Sequence, residues 1–60
     1  MDGYVLVRIT DGAFVSKPGF HASYTHDLRN ARIFATRESA DANRCKGNES
    51  IQSIASVLSQ

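Results

Sequence analysis

An α+β fold, a small antiparallel sheet packed on one helix, is what this 60-residue chain predicts. Three observations carry that prediction. Two β-rich runs, YVLVRI at 4–9 and AFVSK at 13–17, flank an Asp-Gly pair. A Thr-Arg-Glu helix start at 36–38 follows the short apolar run RIFA at 32–35. The apolar tail SIQSIASVLSQ at 50–60 supplies either a further strand or a second helix.

The first run is β-branched and aromatic, the composition of a strand. Asp11-Gly12 reads as a two-residue hairpin turn, in which Gly12 accepts positive φ without steric cost. That loop sets Ile9 opposite Phe14 and Thr10 opposite Ala13. One face of the hairpin then carries Val5, Val7, Ile9, Phe14 and Ser16, and is expected to meet the core. The other carries Tyr4, Leu6, Arg8, Val15 and Lys17, a more mixed set. One small helix cannot cover both faces. The mixed face is therefore either a half-buried surface shielded by snorkelling cations or an interface.

Pro18-Gly19 stops the second strand, because proline cannot donate to a ladder. Phe20, Tyr24 and Leu28 recur at intervals of four, but Thr25 and Asp27 favour a single capped turn there. Residues 32–35 form the short third strand. Thr36 is an N-cap, Glu38 complements the helix dipole, and the helix runs about 37–46, ending near Gly47. Ala40 is its clear core residue.

The tail is ambiguous. Ile51, Ile54, Ala55 and Leu58 fall on one helical face at i, i+3, i+4 and i+7. The serines and β-branched residues weaken a helix there.

YVLVRITDGAFVSKPG, followed by SYTHDLRNARIFATRESA, resembles a type of small protein common in phages and prophages. The likeness covers about residues 3–42. It implies a virus-associated origin, a compact α+β build and one more strand at 51–58. It implies no specific activity. Phage accessory proteins of this length often bind a host protein, including as inhibitors of CRISPR or other defence systems.

Composition bounds the function. Sixty residues make one domain, and such a chain buries only about 60% of the surface its unfolded form exposes. Cys45 is the only cysteine, so no intrachain disulfide exists, and a reducing cytoplasm of the host cell is the expected setting. Self-association is the remaining source of stability, and a homodimer is expected on that ground. Seven Lys or Arg stand against six Asp or Glu, which argues against both an acidic nucleic-acid mimic and a strongly basic binding module. The longest apolar run, Tyr4 to Val7, is far short of the ~20 residues of a membrane span, so no membrane partner is expected.

No constellation reads as catalytic. His21, His26 and Cys45 fall short of the four ligands and close spacings of a structural zinc site, even with Asp27 added. Cys45 near a helix C-terminus lacks the dipole that activates a thiolate, and a free cysteine usually packs as a small hydrophobe. No metal, cofactor or enzymatic activity is expected. Arg29, Arg32, Arg37 and Arg44, near Tyr24 and His26, give a basic cast, but Asp27, Glu38 and Asp41 interrupt it. Arg37 and Asp41, four apart on a helix, form a solvated pair.

The expected function is therefore non-enzymatic binding of a host protein or defence complex, most concretely anti-CRISPR-like inhibition by steric occlusion. The alternative is a small nucleic-acid-binding regulator. Candidate contacts are the polar turn (Tyr24, His26, Asp27, Arg29) and the helix face (Arg37, Asp41, Arg44), because aromatic and arginine side chains dominate interface energetics. Tyr24 has a second reading, as a core residue.

Overall fold

The computed structural model describes residues 2–59, in which four strands form one antiparallel sheet ordered β3-β2-β1-β4. Along the chain these are β1 (Tyr4–Arg8), β2 (Phe14–Val15), β3 (Tyr24–Thr25), a 3-10 turn (Leu28–Asn30), α1 (Arg37–Asn43), β4 (Glu49–Ser53) and α2 (Ile54–Leu58). The α+β class read from the sequence holds.

β1 is central, and both of its faces are covered: Val5 is 0% exposed and its neighbour Leu6 is 1% exposed. Val5 packs with Ala31 and Ile54, bordered by Phe14, Leu28 and Val57. Leu6 packs with Phe34 and Ala40, bordered by Tyr4, Val15 and Ile51. Alternation along a strand sends neighbours to opposite sides, so two small cores lie on either side of one sheet. α1 covers the Leu6 side through Ala40. α2 and the 3-10 turn cover the Val5 side. The mixed hairpin face is thus not an open amphipathic surface: α1 covers it, while the helical end of the tail covers the Val5 face that the sequence assigned to the core.

The hairpin turns earlier than the Asp-Gly pair suggests. Val7, not Ile9, faces Phe14, and the Arg8 N–H donates to Ala13 O at 2.6 Å, leaving a four-residue loop. Gly12, at φ +78, does take the left-handed conformation, and its N–H reaches back to Arg8 O. Asp11 holds this longer loop by accepting from the Arg8 guanidinium and from the Ala13 N–H. A shift of two residues preserves the face of every side chain but moves Ile9 out of the pairing with β2, leaving it 61% exposed.

The third strand is Tyr24–Thr25, whose two residues pair with Val15 and Phe14. Residues 32–35 are not a strand. The 31–34 stretch makes single bridges, Ala31 to Ser16 and Phe34 to Tyr4, and so ties the end of β2 to the start of β1. The capped turn after it is as read: Thr25 Oγ1 accepts the Asp27 N–H, and Asp27 caps the 3-10 turn by accepting from Arg29 N.

α1 begins as expected, with Thr36 Oγ1 accepting the Ser39 N–H and Glu38 in the first turn. It stops at Asn43 rather than about 46, because Arg44 is extended (φ −74, ψ 138) and the Cys45 N–H goes to Glu49 Oε1. The tail divides between the two readings. Glu49–Ser53 pairs along β1, and Ser53 then caps α2 by accepting from Ser56 N. The expected strand to 58 is therefore cut short at the cap.

Gly3 is required where these elements meet. Its φ is +130, and a Cβ there would sit 2.9 Å from Ile33 Cγ2 and 3.2 Å from Phe34 O. Gly3→Ala is expected to destabilise by about 1–3 kcal/mol through backbone strain. Phe34→Ala removes a ring that is 4% exposed and should cost ~3–5 kcal/mol. Urea denaturation of both variants checks these values; a parental midpoint for Phe34→Ala would contradict the second core.

Candidate functional site

The α1 side of the sheet carries the polar chemistry of this chain. Cross-strand pairing places Tyr24 beside Val15 on β3 and β2, and Ile51 beside Leu6 on β4 and β1. These residues line one row beneath α1. Two residues from Ile51 along β4, on the same face and paired with Arg8, lies Glu49, 5% exposed and the one buried charged side chain among the described residues.

Glu49 is satisfied from two directions. The Tyr24 hydroxyl donates to Oε2 at 2.5 Å, and the Cys45 N–H donates to Oε1 at 2.9 Å. The Asn48 side-chain amide donates to the Tyr24 oxygen at 3.3 Å. The Arg8 guanidinium stacks 4.1 Å from the Tyr24 ring centroid while gripping Asp11 with two hydrogen bonds. Tyr24 is therefore a half-buried strut, neither a free contact nor a member of either core. Its phenol is pushed up from its ordinary pKa, chiefly by the bond to Glu49, since ionisation would set a second negative charge beside that carboxylate.

The rest of the polar turn points elsewhere. His26 is exposed, with Nε2 3.8 Å from Asp11 Oδ2. Asp27 and Arg29 engage each other at 2.8 Å, and the Arg29 side chain remains 89% exposed. Arg29 holds the Asp27 carboxyl below the usual carboxylate range, and Arg8 holds Asp11 well below it. His21 tilts against the Phe20 ring with centroids 4.4 Å apart, and Cys45 is exposed rather than a small core residue. Among the described residues no group of three or more His, Cys, Asp or Glu could hold a metal ion.

The helix-face candidates do converge. Arg37, Asp41 and Arg44, with Glu38, Ser50 and Ile51, line a groove of about 480 Å³ between α1 and β4. The expected Arg37–Asp41 pair is replaced. Asp41 instead accepts from Arg44 at 3.1 Å, while the Arg37 guanidinium lies 5.4 Å from the Tyr4 ring centroid. Arg44 also donates to Glu49 O at 3.2 Å, which joins the groove to the buried carboxylate. Among the described residues no carboxylate lies within 4 Å of the Arg37 guanidinium, and no cation lies that close to the Glu38 carboxylate. Glu38, Ser50 and Ile51 are the groove residues that sequence reasoning missed. The signal for Ser50 and Ile51 was the β4 pairing, which no local pattern encodes, whereas Glu38 adjoins Arg37 in the first turn of α1.

Two measurements test this arrangement. Tyr24→Phe removes a donor to a buried carboxylate and should cost about 1–3 kcal/mol in urea denaturation, less in a Glu49→Gln background. The pH dependence has two limbs. Asp11 and Asp27 have lowered folded pKa values, so their contribution is complete above the unfolded value of about 3.9 and is lost as pH falls through the folded ones. Tyr24 has a raised folded value, so its contribution holds below the unfolded value of about 10 and is lost as pH climbs past the folded one. Asp11→Asn is expected to flatten the acid limb and Tyr24→Phe the alkaline limb.

Comparison of this chain with protein-family models, with curated proteins and with solved structures gives no match.

Proposed function

We propose that this chain is a non-enzymatic binding module whose α1–β4 groove takes a protein partner. The observation that carries this reading is the groove's composition: Arg37 and Glu38, of opposite sign and with no opposite charge within 4 Å among the described residues, beside the apolar Ile51. A mixed-sign rim over an apolar floor suits a protein surface, which offers both signs, better than a phosphate backbone, which offers one. In the virus-associated setting that the resemblance implies, the partner is a host protein. The outcome is then inhibition by occlusion, with an anti-CRISPR-like block of a defence complex as the most concrete form.

A nucleic-acid reading has one observation in its favour. Arg32 and Arg37 stack over Phe34 and Tyr4 at 4.7 and 5.4 Å, an arrangement that can also clamp bases or phosphates. Glu38 and Asp41 in the same groove weigh against it.

Retention from host lysate, with and without nuclease, separates the two. A defined protein should survive nuclease, and the double charge swap Arg37→Glu with Glu38→Lys should lower its retention about tenfold or more. Lys46→Glu, beyond the helix, should leave retention near parental. Material that vanishes with nuclease, or binding that collapses between low and moderate salt, would favour nucleic acid instead.

A further inference from the structure

The outer edge of β4 is the long open edge of this sheet. β3, at the opposite edge, has two residues; β4 has five and contains neither proline nor lysine, the usual protections of an edge. The ladder with β1 fixes which backbone groups point outward. The Ile9 N–H donates to Asn48 O and the Ile54 N–H donates to Gly3 O, so residues 48, 50, 52 and 54 bond inward. Residues 49, 51 and 53 then face out.

Glu49 is already occupied: its N–H donates to Cys45 O and its C=O accepts from Arg44. Ser53 C=O caps the first turn of α2. The Ile51 N–H and C=O and the Ser53 N–H remain. They border the groove beneath α1, and a second concavity of about 390 Å³ adjoins Ser53 at the Tyr4 end.

We infer that this edge binds an extended segment of the partner as a fifth antiparallel strand, an inference that rests on the protein-binding reading above. Main-chain bonds would come from Ile51 and Ser53, and side chains on the α1 face would be read by the groove. A residue opposite Ile51 points to the same face as Ile51 and is apolar. The residue two before it lies opposite Ser53, one strand out from Tyr4, whose ring centroid is 5.4 Å from the Arg37 guanidinium. That position is acidic, because Arg37 has no carboxylate of its own within 4 Å among the described residues. The partner motif is therefore acid-x-apolar. A second copy of this chain fits less well. A twofold pair centred on Ile51 would set Ser53 against the other copy's Glu49, whose outward groups are taken.

The test is selection of displayed random ten-residue peptides on the full chain, followed by NMR titration with the synthesised winners. The enriched peptides should carry acid-x-apolar, and the Ile51 and Ser53 amide protons should move downfield as they gain acceptors. Arg37→Glu should switch the enriched residue from acidic to basic. Ser53→Pro, compatible with the observed φ of −74, deletes one outward donor together with the α2 cap and should weaken binding about three- to tenfold. Ser53→Ala, which removes the cap alone, should bind near parental. Peptides that bind while leaving the Ile51 and Ser53 amides unmoved would overturn the strand-addition inference but keep the protein-binding reading. No enrichment, with nuclease-sensitive retention from lysate, would overturn both. A concentration-dependent dimer that shields the same amides would replace the peptide with a second copy.

Discussion

Everything in this domain depends on β1 being buried on both faces. A five-residue strand cannot form two cores by alternation unless each face finds its own cover, and here neighbouring residues do so: Val5 under α2 and the 3-10 turn, Leu6 under α1. Each fully buried aliphatic side chain contributes roughly 1.5–3 kcal/mol, so a chain this short cannot lose either side and stay folded. The segments without regular structure serve the same end. The 31–34 stretch places Ala31 in one core and Phe34 in the other, threading from the first side to the second at the edge of β1. Gly3 allows that close passage.

The second organising element is polar. Glu49 is buried where the last strand begins, and a carboxylate there is tolerable only with its oxygens satisfied. Tyr24 and the Cys45 amide meet that need, and so three distant parts of the chain (the β3 edge, the end of α1 and the start of β4) are tied at one point. The same bonds end α1 early and direct Arg44 toward the Glu49 carbonyl. Stability and surface are linked there: the node that fastens the tail also shapes the groove and closes one end of the β4 edge.

Local signals were the legible part of the sequence. The Thr36 cap, the Asp27 turn, the positive φ of Gly12 and the burial of Ala40 each follow from residues close together in the chain. What failed needed distant partners. The hairpin loop lengthened because Asp11 found both Arg8 and the Ala13 amide. Residues 32–35 lost their strand because Tyr24–Thr25 took the place beside β2. The tail satisfied both readings in turn, with Ser53 as the boundary, a division that neither a period of two nor one of 3.6 reveals over the whole segment. Among the candidate contacts, Arg37, Asp41 and Arg44 line one groove, although Arg44 reaches it from beyond the helix, whereas Tyr24 was drawn inward by a carboxylate 25 positions away.

Native-state hydrogen exchange read amide by amide is the most direct test of a sheet in which β1 is paired along both sides and β4 leaves one edge open. Consecutive amides of β1 bond alternately to β4 and to its other neighbours, so Tyr4 through Ile9 should be protected without a break. In β4 the pattern should alternate, with Ser50 and Gln52 slow and Ile51 and Ser53 fast. Alternation within β1 would show that one of its two strand neighbours is missing, and uniform protection of β4 would show that its outer edge is already filled. Either result would contradict the arrangement described.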